Sequence, residues 1–313
     1  MIVRILVLLL VLCVPAYAEW PNDRPIHLIV SAGPGSGTDI IARYLAPILS
    51  EKLKQVVIIE NKVGTGTLLA TLYTKTSQPD GYTLLLTSSA FSSIPYSINA
   101  KFDPINDFTH LAIVATTPIV LVTPNKITDI RQLLNKKDFN YGIVGRGTPS
   151  HLSIITIIDK HGTGVFYRSA TDIIPELLAE RMDAFAAPLT MVKSMIEDNT
   201  LHAHLTFSTN RIPDLSTIPT STELRFTNST MEFWTGFLAP AGLPDDIKNK
   251  LIDVIKECLS DKEFISKLKN VGGYPFPRFG KQFRDFVLEE SIRYKKLIYE
   301  NHLNSDKHKR KIL

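Results

Sequence analysis

The sequence predicts an α/β protein of two lobes around a ligand cleft, and three observations carry that prediction. Strands and helices alternate along the chain from residue 26 onward. Each half opens with a strand, a glycine-rich turn and a helix, and two apolar strand-like segments, at 119–124 and 233–240, carry the chain between the halves. The 313 residues, 44% hydrophobic and 21% charged, are enough for two cores and exclude a disordered chain.

Residues 1–18 read as an export signal. Arg4 precedes a ten-residue apolar stretch at 5–14, and Ala16-Tyr17-Ala18 is a small-x-small pattern with cleavage expected after Ala18. The stretch is too short to span about 30 Å of hydrocarbon, which takes about 20 residues. Cys13 falls inside this segment, preceded by Leu12 where a lipoprotein would need a small residue. Cys258 is then the one cysteine of the mature chain, so no intrachain disulfide is expected. An exported, disulfide-free body predicts a protein of the bacterial envelope. The net charge of +4 is local: without Arg4, Lys307, Lys309, Arg310 and Lys311, 30 basic residues face 31 acidic ones. That balance argues against a nucleic-acid partner.

The first mature strand is 26–30, followed by Gly33-Pro34-Gly35-Ser36-Gly37, a turn no helix could contain. Thr38 or Asp39 can cap the next helix, whose apolar face is Ile40, Ile41, Tyr44, Leu45, Ile48, Leu49 and Leu53. A second strand at 56–60 leads to a second glycine loop at Gly64 and Gly66, a short helix through Leu69, Leu72 and Tyr73, and a third strand at 82–87 that opens into Ser88. This βαβαβ order predicts a parallel sheet with ligand sites beyond its C-terminal edge.

The pattern restarts at the crossing strand that ends at Pro124. A basic helix at 130–137, a strand at 139–144, the turn Gly145-Arg146-Gly147 and a helix from Thr148 follow. Further strands are expected at 165–167 and 183–186, with a helix carrying Ile173, Ile174, Leu177 and Leu178 between them. Two helices close the chain, one from Pro244 through Ile255 and one through Phe283 and Ile298. The division is 19–123 plus 236–304 for one lobe, 124–235 for the other, and 305–313 for a solvated basic tail.

A helix N-terminus offers unpaired backbone N–H groups and the positive end of the helix dipole, so both glycine turns are suited to hold a carboxylate or phosphate. Ser36 and Thr38 add hydroxyls to the first turn, and Ser150 and His151 are expected to face the opening from the second. One such terminus contributes about 0.3–1 kcal/mol, up to about 2 when partly buried. Micromolar affinity needs about 8 kcal/mol, so closure around the ligand must supply the rest. Catalytic signatures are missing: there is no H-E-x-x-H, no spaced Cys/His cluster for a metal and no P-loop lysine, and Pro34 replaces the first glycine of a nucleophile elbow around Ser36. A dinucleotide site would use Gly33, Gly35, Gly37 and Glu60, but Thr38 stands in place of its third glycine.

At these loops the chain resembles the tripartite tricarboxylate transporter substrate-binding family, the Bug family of periplasmic receptors, from about Trp20 to about Tyr299. The matching stretches are Pro25-Ile26 through Asp39, Glu60-Asn61 with Gly64 and Gly66, and Pro79-Asp80-Gly81-Tyr82. Asn140-Tyr141-Gly142 with Gly145, Gly147 and His151 follows, then Phe166-Tyr167-Arg168, Asp183, and Trp234 through Pro240 with Gly242. The resemblance implies a type II-like periplasmic-binding-protein fold without catalysis or cofactor. It implies a monomer that closes on a small carboxylate and delivers it to membrane permease subunits.

It also implies a site in which Gly35, Ser36, Gly37, Thr38 and Asp39 face Gly147, Thr148, Ser150 and His151, with Ser88, Tyr167, Arg168 and Asp183 lining the rest. Several positions depart from the family pattern: Ser36 and Ser169 replace glycines, Arg146 a small polar residue and Arg168 a lysine, while Ala187-Pro188 stands where Asp-Asn is common. Arg146 and Arg168 predict a second carboxylate on the ligand, because arginine pairs such groups bidentately. Citrate, C4 dicarboxylates, amino acids and aromatic acids all remain open as ligands. Two other readings stay beside the receptor: an exported hydrolase or transferase using His151 and Asp183, and a ligand-presenting partner of a sensor kinase.

Overall fold

The computed structural model describes residues 20–304 apart from 99, 159–161 and 227, so the export signal at 1–18 and the basic tail at 305–313 lie outside the described residues. The chain begins with β1 (Ile26–Val30), α1 (Gly37–Leu53), β2 (Val57–Asn61), α2 (Leu68–Lys75), β3 (Thr83–Ser88) and α3 (Ala90–Ser97). β1 lies between β2 and β3, parallel to both. Its side chains alternate as a strand buried on both faces requires: Ile26, Leu28 and Val30 join a core with Ile41, Leu45, Leu251 and Phe264, and Ile29 joins another with Leu85, Phe91 and Phe283.

β4 (Phe108–Pro124) is 17 residues long and belongs to two sheets. From Ile119 it pairs in the second lobe, where α4 (Ile130–Leu134), β5 (Phe139–Ile143), α5 (Pro149–Ile155), β6 (Gly162–Phe166), α6 (Ile173–Leu178), β7 (Ala184–Pro188), α7 (Leu189–Glu197) and β8 (Leu201–Thr206) follow. That sheet runs β6-β5-β7-β4-β8, with β5 parallel to β6 and β7, and β4 antiparallel to β7 and β8. Alternation again builds two cores, Ile119 and Leu121 facing Phe139 and Phe207, and Val120 and Val122 facing Ile173 and Phe185.

The chain returns through β9 (Glu232–Pro240), which inserts antiparallel between β3 and β4. α8 (Asp245–Leu259), α9 (Lys262–Asn270), β10 (Tyr274–Phe279) and α10 (Lys281–Glu300) complete it, with β10 antiparallel to β4. The change of sheet comes at Pro118, which pairs with Glu232, a few residues before the boundary expected after 123. α10 is a third connection. Its Phe283 and Val287 pack in the first lobe, and Tyr294, Leu297 and Ile298 pack in the second.

The fold differs from the sequence expectation in definite places. The first sheet is mixed, because β9, β4 and β10 add antiparallel strands to the parallel β2-β1-β3 unit. β4 begins at Phe108, 11 residues before the segment read as a strand, and α3, α7, β8, α9 and β10 were not anticipated. Among the described residues no helix is long and apolar enough to cross a membrane.

Candidate functional site

The first glycine loop is set by an internal hydrogen-bond network. Gly35 takes φ +79°, a conformation that favours glycine, and lets the chain leave β1 and turn into α1. Ser36, not Thr38 or Asp39, is the cap: it is extended, and its Oγ accepts from Asp39 N–H at 3.3 Å. Asp39 points inward. Its Oδ2 accepts from Gly35 N–H and Arg43 Nε, both at 2.8 Å, and its Oδ1 accepts from Asn61 Nδ2 at 2.8 Å and Arg43 Nη2 at 3.2 Å. Burial alone would push this carboxyl up, but the hydrogen bonds from Arg43, Asn61 and Gly35 more than offset it and hold it below the usual carboxylate range.

The second loop repeats the device with different chemistry. Gly147 takes φ +72°, and Thr148 caps α5, its Oγ1 accepting from His151 N–H at 3.4 Å and donating to Gly145 O at 3.0 Å. His151 turns back rather than facing the opening, and its Nδ1 accepts from Gly147 N–H at 3.0 Å. It stacks on Tyr141 with ring centroids 6.2 Å apart. Burial, with a smaller push from Arg146, lowers its pKa to about 4, so the ring is neutral at pH 7. In both loops, the residue four positions after a glycine takes that glycine's amide.

What remains faces a cavity between the lobes of about 80 Å³, which Ser36, Gly37, Thr38 and Ser88 line from the first lobe and Thr148, Ser150 and Arg168 from the second. The amides of Gly37, Thr38 and Ser150 have no acceptor among the described residues. Thr38 Oγ1 is buried and has no hydrogen-bond partner either. Val63, Val144, Phe185, Met191 and Phe233 make most of the remaining wall apolar, and sequence reasoning named none of them as site residues. Only Val63 and Val144 carried a positional signal, just beyond the C-terminal ends of β2 and β5, whereas Phe185, Met191 and Phe233 lie inside β7, α7 and β9.

Six expected site residues lie off this wall. Gly35 and Asp39 sit behind the first loop, and Gly147 and His151 behind the second. Tyr167 borders an adjoining groove of about 500 Å³ with Arg146, Phe166 and Arg168. Asp183 stands at the start of β7, where it accepts from Asn140 N–H at 2.9 Å and pairs with Lys136 Nζ at 2.6 Å. The cavity lies at the other end of that strand, around Pro188.

The lobes touch across the cleft. A Cβ added at Gly33 would lie 2.5 Å from Ser169 Oγ, and one at Gly145 would lie 3.1 Å from the Gly66 amide nitrogen, so the structure is a shut form. Among the described residues no group of three or more His, Cys, Asp or Glu could hold a metal ion.

Residues 41–303 match the family model described as tripartite tricarboxylate transporter family receptor. The chain belongs to that family. It is 31% identical over 296 residues to a UPF0065 protein of Bordetella pertussis, covering 91% of this chain and 92% of that one. Its fold is that of the periplasmic binding protein BugD, with a TM-score of 0.86 at 24% identity over 90% of this chain and 99% of that one. Rpa4515 of R. palustris, solved with adipate, superposes with a TM-score of 0.84 at 24% identity, covering 90% and 98%. The protein is thus a receptor of a transporter family rather than an enzyme. The geometry agrees, since His151 and Asp183 are each committed to a backbone amide in different parts of the second lobe.

Proposed function

We propose that the protein is a periplasmic, monomeric receptor that closes on a small carboxylate and hands it to the permease subunits of a tripartite tricarboxylate-type transporter. One observation carries this reading: the unpaired amides of Gly37, Thr38 and Ser150 and the unpartnered Thr38 hydroxyl converge on one interlobe cavity. A carboxylate has two oxygens that accept such donors, and each charge-assisted bond made out of water is worth about 1.5–3 kcal/mol. No free positive charge is needed at this end, because oriented amides do the work of one.

The far end of the ligand meets cations. Arg168 borders both the cavity and the adjoining groove, Arg146 borders the groove, and neither forms an ion pair among the described residues. Arg146 instead lies 6.0 Å from the Phe166 ring centroid. A cavity of about 80 Å³ holds a carboxylate and little more, so a longer ligand would pass Val144 into the groove. This favours an acid with two anionic ends and an apolar middle, the form of the adipate solved with Rpa4515.

The test is thermal stabilisation of residues 19–313 by mono-, di- and tricarboxylates, amino acids and nucleotides. A ligand at 100 times its dissociation constant adds about 2.7 kcal/mol, a shift of several degrees. Stabilisation by carboxylates, reduced by Arg168→Ala for dicarboxylates and unchanged for monocarboxylates, is expected. Stabilisation by nucleotides alone would overturn the reading.

A further inference from the structure

Three connections join the lobes, and a buried carboxyl stands where they meet. Trp234 on β9 pairs with Thr116 on β4, two residues from the Pro118–Glu232 pair at which the chain changes sheet. Glu290 projects from the middle of α10 and is 6% exposed. Its Oε2 accepts from Trp234 Nε1 and its Oε1 from Tyr294 Oη, the latter at 2.9 Å. Trp234 belongs to the first lobe's core, edge-on to Phe283 with centroids 5.3 Å apart, whereas Tyr294 belongs to the second lobe's core with Ile119 and Phe207. One side chain therefore ties a core residue of each lobe to the helix that spans both.

Glu290 also lines a cavity of about 550 Å³ on the hinge, bordered by Thr116 and Pro118 of β4, Glu232 of β9, and Glu289 and Arg293 of α10. The charged groups acting at this spot are two acids and two cations. Glu232 repels a charge on Glu290, Arg293 attracts it, and Arg278 of β10 acts on Glu232. Glu289 faces the same cavity. From α3, which packs on α10, the titratable neighbour is Tyr96, which lies against Lys295.

We propose that Glu290 is a proton-controlled latch on the hinge: protonated, it holds the three connections in the shut arrangement, and ionised, it releases them toward an open one. An ionised carboxyl here has two donors, is only 6% exposed and stands near Glu232, whereas lobe opening would widen the adjacent cavity and expose it further. Burial dominates over the hydrogen bonds from Trp234 and Tyr294 and moves the titration up to about 8. The shut form binds this proton more tightly than an open, hydrated form would, so falling pH favours shutting and rising pH favours opening. By linkage, anything that binds the shut form raises the proton affinity of Glu290, and the reverse holds equally.

The experiment needs no ligand, so its outcome is independent of the carboxylate reading. Small-angle scattering and Trp234 emission in a Trp20→Phe background are recorded from about pH 6 to about pH 9.5. The expected result is a rise in radius of gyration and a change in Trp234 emission sharing one midpoint at or below about 8, because opening pulls the titration of the shut form downward. In Glu290→Gln both signals should stay at their low-pH values, because the neutral amide can accept from the Trp234 indole and donate to the Tyr294 oxygen. A wild-type radius that does not change, or an unaltered transition in Glu290→Gln, overturns the proposal. If that variant does not fold, Tyr294→Phe serves instead: losing one donor to the carboxylate should move the midpoint upward, and an unmoved midpoint overturns it.

Discussion

Replacing Asp39 by alanine strips the first loop of its internal support, and the cost can be worked bond by bond. Four hydrogen bonds end on this wholly buried carboxylate. The two from Arg43 are discounted, because that side chain is 55% exposed and water replaces the lost partner. Gly35 is exposed, and Asn61 is half-buried and also donates to Ala32 O at 2.8 Å, so each lost bond counts at its net value of about 0.5–1.5 kcal/mol. Asp39→Ala should therefore destabilise the protein by about 1–3 kcal/mol at pH 7, read from urea unfolding with an unchanged denaturant slope. The pH dependence has a definite sign. The folded-state value lies below the ordinary 3.8, so the contribution is fully present above that value and disappears as pH falls through the folded one. Wild type and variant should thus converge in strong acid. A loss below about 0.5 kcal/mol at neutral pH would refute the loop-bracing role, since even one net hydrogen bond reaches it.

Gly33→Ala should act on closure rather than folding. Its Cβ would meet Ser169 Oγ of the opposite lobe at 2.5 Å, and that hydroxyl is itself held to Thr171 Oγ1 at 2.8 Å. Overpacking of about 1–3 kcal/mol predicts a loss of ligand affinity of about 5- to 150-fold by titration calorimetry, with little change in the melting temperature of the free protein. Unchanged affinity would mean the ligand-bound form does not shut in this way. Cys258 is fully buried in the first core, and burial pushes its thiol up to about 12. It should therefore resist thiol reagents at neutral pH until urea unfolds the chain, and labelling of the native protein would contradict that burial.

The sequence was most legible where structure is local. The apolar spacing from Ile41 to Leu53 read as one face of a helix, and the turns at Gly35 and Gly147 need the positive φ they adopt. Pairing partners were less legible. β10 carries Pro275 and Pro277, which argue against a strand unless it lies at an edge; β10 does, pairing with β4 on one side. β4 was truncated because its first half, from Phe108 to Pro118, shows no single period: both faces are covered, by α8 on one side and by α10 on the other. α3 was hidden by Pro95 and its three serines. Side-chain direction within a motif was beyond reach too. Asp39 and His151 have the chemistry of ligand contacts and sit in the right turns, yet both point back into their own loops.

That shared direction explains how the site can be selective. A carboxylate at Asp39 facing the cavity would repel an anion, and a protonated histidine would attract any anion. The structure avoids both: Arg43 pairs with Asp39 inside the loop, and burial keeps His151 neutral at pH 7. Each brace consumes one glycine amide and leaves the next donors, at Gly37, Thr38 and Ser150, to the cavity. On the proposed reading, the near end of the site recognises a carboxylate by geometry, through dipoles too short-ranged to hold an ill-fitting anion. Full charges stand at the cavity's edge and beyond it: Arg168 borders both the cavity and the adjoining groove, and Arg146 borders the groove. Discrimination among acids then follows from the distance between their two anionic groups and the apolarity of what joins them. A hydroxylated spacer would strip water from its hydroxyls against the apolar wall without regaining those hydrogen bonds.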